Sequence, residues 1–335
     1  MPRSKITLND VAAHAGVSRA TVSLVLRESP LVANETRMRV QTSIKAVGYV
    51  YHRPAASLRS ERTHTIGLLV TDVSNPFFAE MTTSVEAEVS AAGFVILLGH
   101  NYESVHKQAR WIRVMLEYGV DGVIICPAHG TEPDMLQPLA SSDIPHLLLS
   151  RYVEGYEASY VGADNVLGAR LATDHLLDHG CRRITFLGGP EASSARRDRQ
   201  SGVAQALADR GEDPAVPSLP TAASRQGGYQ AAAQLLATSD PPDGIICYND
   251  IVAFGVLAAA RDLGVRVGSD MRVIGFDDIG ESGVQFPSLT SVAVVPPTLG
   301  QRAARLLRQL IEDKRSGPRV EVAQPKLAFR ASCGC

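Results

Sequence analysis

Two spacings of hydrophobic residues divide this chain. Over the first fifty residues, apolar side chains recur every three to four positions in short runs, the spacing of small amphipathic helices. Leu8, Val11, Ala12 and Ala15 form one stripe, and Val22, Val25 and Leu26 a second. Val40, Ile44 and Val47 form a third, in a helix predicted from about Glu35 to Val47 and ended by Gly48. From residue 63 the pattern switches to short apolar runs alternating with longer amphipathic ones. Strands are predicted at 65–71, 94–98, 122–126, 146–149, 183–187, 244–247 and 272–276. Helices are predicted at 77–92, 105–118, 195–210, 227–237 and 251–263, with another ending at His179. Such alternation builds β-α-β units and mainly parallel sheets. It restarts after Asp164-Asn165, so two doubly wound lobes are expected behind a small all-α head.

The head carries the more specific pattern. Thr7 and Asp10 have the spacing of a reciprocal helix cap. Gly16 permits a tight turn, Val17 plugs the corner, and Ser18 caps a second helix over Arg19–Leu26. That helix buries its valines and turns Arg19, Ala20 and Ser23 outward. Two short helices joined by a glycine turn, the second polar at its start, form a helix-turn-helix. Small first-turn residues let such a helix enter a groove about 12 Å wide. There Arg19 suits guanine and Ala20 a thymine methyl group. The same pattern also fits a small helical bundle that contacts protein. Charge favours nucleic acid: residues 1–62 hold ten Lys/Arg against four Asp/Glu, while the whole chain is at −2. A basic head on an acidic body points the head alone at a polyanion.

The string ITLNDVAAHAGVSRATVSLVL, followed by ETRMRV and IKAVGYV, closely resembles the N-terminal signature of the LacI/GalR family of bacterial transcription repressors. The resemblance extends over essentially the whole chain. It implies a periplasmic-binding-protein-like effector domain of two lobes behind the helix-turn-helix. It also implies DNA contacts from Thr7, Ser18, Arg19, Ala20, Thr21 and Ser23. Arg27 stands where the family usually has Asn and adds a candidate phosphate contact. Ala33 replaces the usual Ser at the start of the third helix, so the cap is expected to shift to Asn34. Residues 51–62 are short, basic and alanine-rich, and a helix of that length is marginal alone. On its own this segment reads as an interdomain tether. The resemblance makes it a hinge helix that folds on DNA, with Leu58 wedged in the minor groove and Arg59 beside it.

Ligands of doubly wound sheets bind beyond the carboxyl ends of the strands. Position alone therefore nominates Asp72, Asn75, Phe77, Phe78, Ser150, Arg151, Asn249, Asp250 and Asp277 as cleft residues. The segments VTDVSNPFFAE, GPEASSARRDRQSG, CYNDIVAFG and VIGFDD resemble the family's effector segments, which adds Arg199 and stresses Asn249 and Asp277. Carboxylate, guanidinium and amide groups each hold vicinal hydroxyls, and aromatic rings cover the apolar face of a sugar. A carbohydrate effector is thus expected, with a purine co-repressor as the alternative. Ala222 and Ala223 stand where several relatives place an aromatic residue, leaving a roomier cleft or one closed by another ring. Against a ligand role, Asp72 and Asp277 also suit helix caps, and Arg199 a structural ion pair.

No catalytic constellation is present. The chain has no G-x-G-x-x-G, no P-loop and no G-x-S-x-G elbow. Cys333-Gly334-Cys335 offers two thiols, but the nine histidines show no matching metal-ligand spacing, so an exposed tail and no metal are expected. No cofactor is implied. The five scattered cysteines, and an N-terminus without an apolar signal segment, predict a cytoplasmic protein with reduced thiols and no membrane contact. A cytoplasmic sugar-binding sensor without catalytic activity is a further alternative. The domain expectation is 1–50 for the head, 51–62 for the hinge and 63–335 for effector binding and dimerisation. Within the last, the N-lobe takes about 63–161 and 293–324, the C-lobe about 162–292 and 325–335. Two heads on a two-fold axis read a pseudo-palindromic operator far better than one. The leucine-heptad tail of tetrameric members has no counterpart after Leu327. A homodimer is expected, with helix 77–92 as a candidate face.

Overall fold

The computed structural model describes residues 6–26, 29–50, 62–313 and 317–335. Arg27, Leu58, Arg59 and the rest of the 51–61 segment lie outside them. The chain divides into two compact units at Thr63/His64.

The first unit holds three helices: α1 (Leu8–Ala15), α2 (Arg19–Leu26) and α3 (Asn34–Val47). Asp10 accepts hydrogen bonds from the Thr7 N–H and hydroxyl, both at 2.8 Å. Gly16 ends α1 at φ 63°, a left-handed turn glycine adopts without a Cβ penalty. Ser18 Oγ accepts the Thr21 N–H at 3.1 Å, so α2 starts as expected. The α3 cap differs from expectation. Ala33 occupies the cap position and Asn34 is already helical, so the helix starts without a side-chain cap bond. Arg37 donates to the carbonyls of Ser29 (2.6 Å) and Val32 (3.4 Å), tying α3 to the preceding turn. Val11, Val22, Val25 and Val40 close the core, with Val17 and Leu26 packed against it.

The second unit holds two six-stranded sheets. In chain order its elements begin with β1 (Thr65–Val70), α4 (Pro76–Ala91), β2 (Val95–His100), α5 (Val105–Glu117) and β3 (Gly122–Ile125). There follow α6 (Pro133–Ala140), β4 (His146–Leu149), β5 (Ser159–Ala163), α7 (Asn165–Asp178), β6 (Ile184–Leu187) and α8 (Ser194–Asp209). Next come β7 (Ser218–Leu219), α9 (Arg225–Leu236), β8 (Gly244–Cys247), α10 (Asp250–Asp262) and β9 (Arg272–Asp277). The chain closes with β10 (Thr290–Ala293), α11 (Pro296–Glu312), β11 (Val320–Ala323) and β12 (Lys326–Ala328). One sheet runs β11-β5-β4-β3-β1-β2, all parallel. The other runs β12-β10-β9-β8-β6-β7, with only β12 antiparallel.

Three crossings join the lobes. The first falls at Asp164, because β5 pairs with β11 through Ala163, two residues beyond the expected limit of 161. The second follows β10, which pairs with β9 through Ala293. The third lies between Ala323 and Lys326. The apolar side of α4 (Phe77, Phe78, Met81, Val85, Val89) is buried in the same core as Leu299, Ala303 and Leu307 of α11. That stripe is used inside the lobe. The outward side of α4 carries Ala79, Thr83 and Glu86.

Candidate functional site

A cavity of about 430 Å³ opens between the two sheets, where the carboxyl ends of their strands face each other. Asp72, Asn75, Phe77, Phe78, Ser150, Arg151, Arg199, Asn249 and Asp277 line it. Asp250 does not. It is fully buried behind the cavity and accepts hydrogen bonds from the Ser282 and Ser291 hydroxyls (both 2.6 Å) and the Ile279 N–H (3.0 Å). Its role is to tie β10 to the turn that joins it to β9. Burial pushes its carboxyl up to about 6 against those three donors.

Several cavity residues also hold the backbone. Asp72 Oδ1 accepts the Ser74 N–H and hydroxyl at 2.8 and 2.7 Å. Asn75 caps α4 by accepting the Phe77 N–H at 3.0 Å, and Asn249 caps α10 by accepting the Val252 N–H at 3.0 Å. In both asparagines the cap uses the carbonyl oxygen and leaves the amide N–H₂ as a donor. Phe77 and Phe78 meet edge to face, centroids 5.0 Å apart.

Arg199 is pinned on all sides. Its Nε donates to Asn165 Oδ1 at 2.9 Å and its Nη1 to the Tyr248 carbonyl. Its guanidinium lies 3.5 Å over the Phe276 ring, and Nη2 stands 3.8 Å from Asp277 Oδ1. That last contact is too long for a hydrogen bond. Burial raises the Asp277 carboxyl well above the usual range, with Arg199 pulling it back. Burial likewise lowers Arg199, against the pull of Asp277. Two buried charges that only half satisfy each other are poised for a ligand that supplies hydroxyl donors and acceptors.

The structure adds residues that the sequence reading left out. Glu103 and His129 line the cavity together with Tyr248. Arg151 donates to Glu103 Oε2 at 2.9 Å and to the Pro127 carbonyl at 3.2 Å. Burial alone would raise the Glu103 carboxyl, but the Arg151 guanidinium outweighs it and holds it low. His129 is driven down to about 4 by burial and by Arg151, so its imidazole is neutral near pH 7. His129 Nδ1 and Thr71 Oγ1, both on the cavity wall, have no hydrogen-bond partner among the described residues. Glu103 (φ 58°), Ser150 (φ 66°) and Asp277 (φ 112°) take left-handed backbone conformations that non-glycine residues rarely adopt. Such strain gathers where geometry serves a ligand. Ala222 and Ala223 also line the wall, and the Tyr248 ring supplies an aromatic group there.

In the head, Arg19 and Ala20 are exposed on the first turn of α2. Ser18 Oγ and Thr21 Oγ1 are 2.9 Å apart and hydrogen-bond to each other, and the Thr7 hydroxyl is taken by Asp10. Thr21 and Ser23 are half-buried beside them. Elsewhere, the His, Cys and carboxylate groups close enough to share a metal ion among the described residues are His175, Cys333 and Cys335. No helix among the described residues is long and apolar enough to cross a membrane.

Comparison with known proteins matches residues 7–51 to the model of bacterial regulatory proteins of the lacI family, and residues 173–333 to a periplasmic binding protein-like domain. The ribose operon repressor of Halalkalibacterium halodurans is 34% identical over 92% of this chain and 91% of that protein. The HTH-type transcriptional repressor PurR of Photobacterium profundum is 32% identical over 97% and 98%. Among solved structures, a complex of the transcriptional regulator CelR with cellobiose superposes with a TM-score of 0.74 at 30% identity, covering 98% of this chain and 99% of that one. The lac repressor dimer bound to operator and the anti-inducer ONPF superposes with a TM-score of 0.89 at 24% identity, over 99% and 100% of the chains, and so shares the fold. With a helix-turn-helix head, two parallel-sheet lobes and a cavity between them, the chain belongs to the lacI family of bacterial regulatory proteins, DNA-binding repressors with a ligand-binding effector domain.

Proposed function

We propose that the cavity binds a sugar and that its occupancy controls the hold of a homodimer on a pseudo-palindromic operator. One observation carries the sugar reading: Asp277 and Arg199 lie buried and loosely paired beside the free amide of Asn249, opposite Phe77 and Phe78. Hydroxyl groups complete both charges, and the phenyl faces cover the apolar side of the ring. The names of the ribose operon repressor and the cellobiose complex support this class of ligand. The PurR relative keeps a purine as the competing ligand. Strong acceptors (Asp72, Asp277) around an edge-to-face phenylalanine pair favour a polyol over a flat base. Like the repressors it resembles, the protein binds its ligand without transforming it.

On the DNA side, Arg19 and Ala20 meet base edges, while Thr7, Ser18, Thr21 and Ser23 fix the helix and reach phosphates. Arg27, Leu58 and Arg59 take the roles the family signature gives them. The dimer face is the outward side of α4 together with edge strand β2, where Val95 and Leu98 are 51% and 41% exposed. Isothermal titration of the purified protein with pentoses, hexoses, disaccharides and purine bases tests the reading. One sugar bound at one site per chain, and lost in Asp277→Asn, is expected. A purine bound there instead would replace the sugar with the co-repressor reading.

A further inference from the structure

The Cys333-Gly334-Cys335 turn is not the lone exposed tail expected from sequence. His175 lies in the last turn of α7 and His179 caps that helix, four residues apart on one helical face. The cysteine turn folds onto this pair. Cys335 Sγ is 3.4 Å from His175 Nε2 and 3.6 Å from His179 Nε2. The donor atoms of His175, Cys333 and Cys335 all lie within 4.8 Å of one another. A tetrahedral ion with bonds of about 2.3 Å to sulfur and 2.05 Å to nitrogen sets those donors about 3.5 Å apart. Both measured Cys335 distances fall on that edge length.

We propose that His175, His179, Cys333 and Cys335 form a Cys₂His₂ site for a thiophilic transition-metal ion, zinc being the fitting member. A hydrogen bond within one thiol–imidazole pair does not explain why His175, Cys333 and Cys335 converge, with His179 reaching the set through Cys335. Nor does it explain how each is aimed. His179 Nδ1 lies 3.0 Å from the His175 carbonyl, and donation there turns Nε2 toward the thiols. Cys333 is fully buried, its sulfur set between the Thr290 hydroxyl and the Arg330 carbonyl, both at 3.1 Å. Arg272 donates to the Cys333 carbonyl at 3.1 Å and places a cation beside the sulfurs. Gly334 has φ 81°, and a Cβ there would lie 2.4 Å from the Gly268 carbonyl, so glycine alone makes this turn. Cys335 is exposed and gives the ion its way in.

Filling the site deprotonates both thiols, whose two protons go to solvent, and engages the imidazoles through their nitrogen lone pairs. The ion then clamps the 333–335 turn to the end of α7. The cavity lies at the other end of that helix, where Asn165 holds Arg199. Changes at the clamp therefore leave the cavity's side chains in place, and the test is independent of what the cavity binds.

The experiment is a cobalt(II) titration, then zinc displacement, on the untagged, reduced full-length protein. Expected are one ion per chain, strong visible bands of tetrahedral cobalt, a thiolate-to-cobalt charge-transfer band and two protons released per zinc. Cys335→Ser and His179→Gln should each weaken zinc binding at least about 100-fold, the upper end of what even an outer-shell loss costs. Both should leave circular dichroism unchanged. Unaltered zinc affinity in both variants would overturn the proposal. So would a cobalt spectrum without thiolate charge transfer, or a Cys333–Cys335 disulfide that persists in the reduced protein.

Discussion

Arg199 and Asp277 show how much of this cavity is decided by single side chains. Each is buried, and their 3.8 Å separation leaves neither fully satisfied. Asp277→Asn keeps the shape and removes the charge that sugar hydroxyls would bond. A hydrogen bond to a charged group contributes about 1.5–3 kcal/mol, so effector affinity should fall by roughly 10- to 150-fold in calorimetry. DNA binding without effector should persist. His129 gives a second residue-level test. Its folded-state value, about 4, lies below the ordinary imidazole value of 6.5. A depressed value contributes stability that is present above 6.5 and lost as pH falls toward 4. Asp250, raised to about 6, works in the opposite sense, because its burial penalty is relieved on acidification. The difference between wild type and His129→Gln isolates the histidine. In urea unfolding, the wild type should lose about 2 kcal/mol more than the variant between pH 7.5 and 5. Parallel losses in the two proteins would remove the buried neutral imidazole.

At the scale of elements, one side chain often does two things. Asn249 caps α10 through its oxygen and offers its amide to the cavity. Asn249→Asp retains the capping oxygen, so the thermal midpoint should hold while effector binding weakens. Asn249→Ala should lose both, with about 1 kcal/mol of stability gone. Equal effector affinity in all three proteins would leave Asn249 as a cap alone. The rule that ligands sit past strand ends found most of the cavity from sequence, because each apolar run stops visibly before a polar residue, as at Val70–Thr71–Asp72. Glu103 escaped because β2 continues to His100, beyond the predicted end at 98. Tyr248 escaped because a tyrosine between Cys247 and Asn249 reads as core, and Asp250 was over-read for the mirror reason. The histidine pair at 175 and 179 carried no metal-ligand signal in the sequence. Its meaning appears only when the chain's last turn is folded against it, a contact separated by 156 residues.

For the whole molecule, charge and architecture divide the work. The basic head meets DNA, and the acidic body senses the ligand. Operator affinity should therefore fall steeply with added salt, as released counterions require, while effector affinity should change little. Leu58 lies outside the described residues, and the proposed minor-groove wedge predicts weaker operator binding for Leu58→Ala with effector titrations unchanged. To move the operator from nearly full to nearly empty, the effector must distinguish the two states of the repressor by about 5.5 kcal/mol. The most direct test is fluorescence anisotropy on DNA from upstream of the protein's own gene, at fixed salt, with and without each sugar. Sequence-specific binding is expected, shifted by one sugar in the wild type and unshifted by it in Asp277→Asn. Binding with no sequence preference under any condition, or the same sugar response in both proteins, would contradict that expectation.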